Sequence, residues 1–188
     1  MPEEKQPLSL SPPSSLEHHR QGGEGQEGDI SLSSSIDAVL RFFKNVGISE
    51  DVPEGAQIND YLSHLIRSFL KVDRIERGRI TCILTPSPPL LNYYGSLHGG
   101  VVACVAELIA IACARTVSAP ENKELFLGEL ATSYLSTAGR NVEVEVVGSV
   151  VRRGRNVIVV SVEFRIKETG KLVYTGRATF YNMPVSNL

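Results

Sequence analysis

Val101 to Ala114 form the longest apolar run of the chain, and Glu107 is its only charge. An unpaired carboxylate among apolar neighbours is costly, so a fold that keeps one gives it a partner or a task. Glutamate can serve as a nucleophile or as a general base toward water. Directly before the run stand His98, Gly99 and Gly100. Two glycines let a ligand approach the backbone closely. If a helix begins there, its first N–H groups are unpaired and carry roughly half a positive charge. Acyl transfer uses such parts: an amide for the developing oxyanion, where one donor contributes about 2.7–4 kcal/mol, and a carboxylate. A structural reading of Glu107, facing solvent or binding nearby backbone, stays open beside the functional one.

Helix geometry adds a constraint. Glu107 lies eight residues after Gly99, about 12 Å along a helix axis. One carbonyl cannot touch both groups of the same chain. If both act, they come from different subunits, and the site lies at the interface of at least a dimer.

Other polar residues each carry two readings. His98 either supports the carbonyl site or caps the helix start by bonding backbone. Asn92 either orients water or the carboxylate, or shapes a turn. Arg152, Arg153 and Arg155 surround Gly154 between two apolar alternations. Guanidinium forks suit phosphate, yet three arginines at a turn are also an ordinary solvated surface.

The elements that must position these residues can be read from periodicity. The run after His98 predicts a helix over about 98–117, apolar on nearly every face and therefore surrounded. Period-two alternation predicts strands over 69–76 and 79–85, joined at Arg77-Gly78, and over about 125–137, 141–152, 156–167 and 171–182. Gly154 and Gly170 mark tight turns, and Pro86, Pro88 and Pro89 a loop. Six strands and one buried helix predict an α+β fold, with a six-stranded antiparallel sheet curled around one long central helix. Upstream, Ser34 and Asp37 fit a capping box. Ile36, Val39, Leu40 and Phe43 then make the stripe of an extra N-terminal helix that stops near Gly47. A second short helix is expected over 59–67.

Residues 1–33 read as a disordered leader, rich in Pro, Ser, Gly, Gln and Glu. Residues 34–58 read as the N-terminal helix and a linker, 59–183 as the domain, and 184–188 as a tail. The leader holds six acids and two bases, which fits no organelle transit peptide, and it lacks the apolar core of a secretory signal. The whole chain has 188 residues, 42% of them hydrophobic and 21% charged, with net charge −2. That composition suits one soluble domain and gives no field to draw in nucleic acid. The apolar run falls short of the roughly 20 residues of a membrane span. Cys82, Cys104 and Cys113 have no metal-ligand spacing and read as buried, reduced core residues. No metal and no cofactor are expected.

Asn92, Gly95, Leu97-His98-Gly99-Gly100 and the acid at 107 together resemble the hotdog-fold thioesterase superfamily. Within it they are most similar to the PaaI-like, acyl-coenzyme A thioesterase 13-like branch. Ser133-Tyr134-Leu135, Arg152 to Asn156, Thr169-Gly170-Lys171 and Gly176-Arg177 agree. The resemblance spans about residues 60–182. It implies an acyl-CoA thioesterase assembled as a dimer of dimers, with acyl-CoA as substrate and its site between subunits. Gly99 would polarise the thioester carbonyl and Glu107 would activate water or attack. Asn92 would place the water, and His98 would support the carbonyl site. Tyr134, Leu135 and Ser136, together with Arg152, Arg153, Gly154, Arg155 and Asn156, would contact the coenzyme A moiety. Phe126, Leu127, Tyr93 and Tyr94 are candidates for the acyl pocket.

Two positions depart from that branch: Glu107 where it has Asp, and Leu127 where it carries a catalytic serine. Without that hydroxyl the water-binding network is incomplete unless Glu129, Thr132 or Ser133 substitutes, which leaves a second reading open, a non-catalytic hotdog module that binds acyl-CoA. The terminal Ser186-Asn187-Leu188 resembles a Ser-Lys-Leu address, so a peroxisomal location is expected, with the cytosol as the alternative.

Overall fold

The computed structural model describes residues 24–45, 48, 65–118 and 123–184. In chain order these form helix α1 (Glu24–Asn45), strands β1 (Leu70–Glu76) and β2 (Arg79–Leu84), a single 3-10 turn (Pro88–Leu90), and helix α2 (Gly99–Arg115). Strands β3 (Lys123–Tyr134), β4 (Val144–Arg153), β5 (Val157–Ile166) and β6 (Leu172–Pro184) follow. All pairings are antiparallel, in the order β1-β2-β4-β5-β6-β3. α2 packs against β2 through β6. The six strands and the central helix expected from periodicity are therefore present, each end within about three residues of its expected place.

Inward positions alternate along each strand, as the period of two requires. Val144, Val146, Val160, Val162, Phe164, Ala178 and Phe180 are buried completely or nearly so. The helix supplies Val101, Val102, Val105, Ala106, Ile109, Ala110, Ala112, Cys113 and Ala114 to the same core. One row across five strands sets how closely helix and sheet meet: Ile80, Gly148, Val162, Gly176 and Thr132 stand side by side. A Cβ at Gly148 would lie 2.8 Å from Ile109 Cγ2 and 3.3 Å from Cys113 Cβ, and one at Gly176 would lie 3.1 Å from Ala106 Cβ. The absent side chains let α2 sit directly on the strands.

The other end of the helix is tied to the first hairpin. Thr116 is 1% exposed. Its hydroxyl donates to Cys113 O at 2.7 Å and accepts from the N–H of Gly78 at 2.7 Å. Gly78 has φ +78°, which the β1–β2 turn needs and glycine supplies without strain. Thr116→Val keeps the shape but strands the Gly78 amide, at a cost of about 1–3 kcal/mol. Thermal unfolding should fall by about 2–4 °C for each kcal/mol, while Thr116→Ser stays near the parent. An unchanged Tm for Thr116→Val would mean the link contributes nothing.

The N-terminal helix corrects the sequence reading. It starts at Glu24, so Ser34 lies in its interior and is no cap, and residues 24–33, read as disordered leader, are helical. Val39 and Phe43 are buried as expected, but Leu40 is 49% exposed. Phe42 takes the Arg115 guanidinium over its ring at 4.8 Å, joining α1 to the end of α2. Burial lowers the pKa of Arg115. Gly47, the linker and most of the 59–67 helix lie outside the described residues, of which 65–67 are helical. The Ser186-Asn187-Leu188 terminus also lies outside them.

The cysteines form no disulfide. Cys82 and Cys113 are buried, and burial pushes both thiols up to about 12, which makes them inert at neutral pH. Cys104 corrects the expectation of three buried thiols, because it is only half-buried. No described helix is long and apolar enough to cross a membrane.

Candidate active site

The start of α2 is held from three directions. The N–H of Leu97 donates to Ala138 O at 2.9 Å and that of His98 to Leu90 O at 2.8 Å. His98 is the N-cap, with φ −65° and ψ 133°. Its Nδ1 accepts from the N–H of Gly100 at 3.1 Å, so the histidine satisfies one of the amides a helix start leaves open. The capping reading of His98 therefore describes its Nδ1. The N–H of Gly99, the first helical residue, has no acceptor among the described residues. It sits at the positive end of a 17-residue helix and is partly exposed. Such an amide can polarise a carbonyl.

Glu107 lies in the middle of the same helix. It is half-buried, and among the described residues its carboxylate meets no hydrogen-bond donor or cation. It belongs to a stripe of α2 that the sheet does not cover: Ala103, Cys104, Glu107, Leu108 and Ile111 are all only partly buried. Apolar sequence on every face predicts a surrounded helix, yet this chain encloses α2 on the sheet side and leaves the stripe accessible. The eight-residue spacing is now a helical one, about 12 Å along the axis. Within one chain the free amide and the carboxylate lie too far apart to act on one carbonyl.

Asn92 is bound up in the loop before the helix. Its Oδ1 accepts from Tyr94 N at 3.0 Å, Ser96 N at 3.2 Å and Ser96 Oγ at 3.1 Å. This is the turn-shaping reading, with Gly95 at φ +73° completing the loop. It leaves the Nδ2 group as the amide's donor toward a ligand. Tyr93 and Tyr94 stand on the same loop, 97% and 87% exposed, so this chain alone builds no acyl pocket from them.

The residues expected along coenzyme A fall into two separate groups. Tyr134 is at the mouth of α2, where its hydroxyl donates to Gly99 O at 2.9 Å. Leu135 and Ser136 follow, both giving their N–H to Val173 O. Arg152, Arg153, Gly154, Arg155 and Asn156 form the β4–β5 hairpin at the opposite end of the sheet. Register makes this plain: Cys82, Val146, Phe164, Tyr174 and Tyr134 share one row, whereas Arg153, Ile158, Phe180 and Leu127 share another. The rows are seven residues apart on β3, about 23 Å at strand rise. The arginines are exposed and, among the described residues, pair with no carboxylate. Leu127 packs partly against the core just before a bulge at Gly128.

Sequence reasoning missed two supporting residues, Asn182 and Tyr174, and named Thr132 only as a stand-in for the absent serine. Asn182 pins the arginine hairpin, giving Nδ2 to Arg155 O at 3.3 Å and its N–H to Asn156 O at 2.9 Å. Thr132 donates to the Tyr134 hydroxyl at 3.2 Å. Tyr174 packs edge-on against Tyr134 and accepts from the buried N–H of Ala138 at 2.9 Å. The Asn182 and Tyr174 links join residues 26 or more positions apart, so spacing along the chain carries no signal of them, whereas Thr132 lies two residues before Tyr134 on β3 itself. No group of three or more metal-ligating side chains gathers among the described residues.

The geometry can be set beside known proteins. The sequence model of the thioesterase superfamily matches residues 94–173. A Caenorhabditis elegans protein designated an esterase is 30% identical over 111 residues, 58% of this chain and 64% of that protein. The chain thus spans slightly less than two thirds of that relative. Human acyl-coenzyme A thioesterase 13 is 26% identical over 133 residues, 63% of this chain and 91% of the relative. The crystal structure of zebrafish thioesterase superfamily member 2 superposes with a TM-score of 0.62 at 20% identity, covering 77% of this chain and 96% of that one. That likeness is one of fold.

Proposed function

We propose that this hotdog-fold chain, whose residues 94–173 match the sequence model of the thioesterase superfamily, hydrolyses acyl-CoA thioesters at a site shared by two copies of itself. The observation that carries this reading is the Gly99 amide at the start of α2, with the Glu107 carboxylate on the open stripe of the same helix, neither of which has a partner among the described residues. Similarity to an acyl-coenzyme A thioesterase supports the substrate class.

β3 supplies a way for two copies to meet. It is a 12-residue strand at the edge of the sheet, and it carries Phe126 at 63% exposure. An unpaired strand edge is a template for pairing. Antiparallel pairing of two β3 strands about a two-fold axis runs the two α2 helices in opposite directions on one side of a continuous sheet. The amide end of each helix then faces the middle of its partner, where the carboxylate stands. The same two-fold turns the arginine hairpin of one copy toward the end where the other copy keeps Tyr134, uniting the two groups that one chain holds apart.

In that site the Gly99 N–H takes up charge as it develops on the carbonyl oxygen. Glu107 of the other copy takes a proton from the attacking water. The C–O bond forms, the C–S bond breaks, and the proton passes to the departing coenzyme A sulfur. Direct attack by the carboxylate through a mixed anhydride is the variant, separable by following oxygen-18 from water into the protein.

The test is release of free thiol by the purified full chain from a panel of short, medium, long and aryl acyl-CoAs. Turnover of none of them, with tight binding of acyl-CoA, would leave the non-catalytic binding module that Leu127 favours. A further expectation concerns Arg152, Arg153 and Arg155. Replacing all three with alanine should raise KM about tenfold or more with little change in kcat, since each charge-assisted contact to phosphate lost is of that order. The effect should shrink as salt rises. An unaltered KM would mean the hairpin is only solvated surface.

A further inference from the structure

The Gly99–Gly100 peptide is gripped on both sides. Its carbonyl accepts from the Tyr134 hydroxyl at 2.9 Å, and its N–H donates to His98 Nδ1 at 3.1 Å. Glycine is the most freely rotating residue, so a diglycine at a helix start would otherwise rock. Tyr134 also lies flush against the glycine: a Cβ at Gly99 would be 3.4 Å from its ring and its hydroxyl.

The tyrosine is itself fixed. Thr132 donates to its hydroxyl at 3.2 Å, leaving the Tyr134 proton for the Gly99 carbonyl. Its ring meets that of Tyr174 edge-on at 5.9 Å, and Tyr174 meets Phe164 in the same way at 5.9 Å. Tyr174 is 3% exposed and Phe164 fully buried. A chain of packed rings therefore runs from the core to the mouth of the helix. Such packing locks rotamers and holds a polar group within the narrow tolerance that catalysis needs.

We propose that Tyr134 is a positioning residue, which clamps the Gly99–Gly100 peptide and so aims the adjacent Gly99 amide at the substrate carbonyl. This rests on the thioesterase reading for its kinetic consequence, though the clamp itself does not. It also assigns Tyr134 a role other than contact with coenzyme A. A residue that touches coenzyme A changes KM; one that aims an oxyanion donor changes kcat.

The test uses Tyr134→Phe in the full chain, because the ring and its packing against Tyr174 are kept. Amide exchange at Gly100 is followed by NMR, and kcat and KM are measured on an acyl-CoA that the parent turns over. The clamp predicts faster exchange at Gly100, about fivefold or more. It also predicts a kcat lower by about 10- to 100-fold, with KM and Tm unchanged. Thr132→Val should move the same readouts in the same direction by less. Unchanged exchange at Gly100 overturns the proposal whatever the kinetics. A raised KM with unchanged kcat overturns it in favour of substrate contact. A parent protein with no turnover sinks the thioesterase reading instead, and the exchange measurement still decides the clamp.

Discussion

Glu107→Ala is expected to lower kcat for acyl-CoA hydrolysis by about 10²–10⁴-fold, the range spanned by general acid–base groups. The fold should survive. The carboxylate is half-buried and meets no partner among the described residues, so its removal strands no donor. Alanine is also the best helix former, which favours the middle of α2. Tm should therefore stay level or rise, and the elution volume on size exclusion should match the parent's. Glu107→Gln separates charge from shape: it should be nearly as inactive, because the amide cannot take a proton from water. Wild-type turnover by either variant, measured by thiol release, would remove Glu107 from the mechanism.

Gly99→Pro should be of comparable effect, about 10²–10³-fold in kcat, the loss that follows removal of one oxyanion donor. Proline deletes the N–H, and its ring has to fit beside Tyr134, which lies 3.4 Å from a Cβ at this position. It is favoured at the first position of a helix, where no intrahelical bond uses the amide. The preceding His98 already has the extended backbone that proline demands. Circular dichroism and Tm close to the parent would show that the fold is kept, and unchanged amide exchange at Gly100 that the Tyr134 contact is kept too. An active Gly99→Pro protein would show that the carbonyl is polarised elsewhere.

The two inactive variants also test one another. A shared site takes Gly99 from one copy and Glu107 from the other, so a mixed dimer of the variants has one intact site of its two. Refolding them together in equal amounts should recover about one quarter of wild-type activity, because half of the randomly assorted dimers are mixed. A site contained in one chain gives no recovery. Size-exclusion chromatography of the mixture checks that the dimers formed.

How much of this was legible in the sequence differs by element. The strands were readable because their inner faces are solidly apolar: Val144 and Val146 alternate with Glu145, and Val160, Val162 and Phe164 with Ser161 and Glu163. The helix was readable from its apolar run, and its start from the diglycine. Helix α1 was misplaced at its N-terminus because a Ser-x-x-Asp pattern marks a cap only where the chain before it is not helical. Asn92 could not be assigned a role from its type, since a turn acceptor and a ligand look alike in sequence. The partition of Tyr134 from the arginine hairpin was invisible for another reason. It depends on strand register and order, and β3 lies at the sheet edge beside β6 rather than beside β4, its successor in sequence. The partners of Tyr134 lie two and forty residues away on two strands, a relation only the folded sheet creates.

Gly148 and Gly176 bring α2 into contact with the strands, so the space between helix and sheet is filled there. If the site is shared as proposed, an acyl tail has no room beneath the helix and lies along its outer side, in a seam that exists only while two copies are joined. Dilution should then act as an inhibitor. As the protein falls below its own self-association constant, specific activity should drop even though every chain remains folded, and saturating substrate should draw the copies back together.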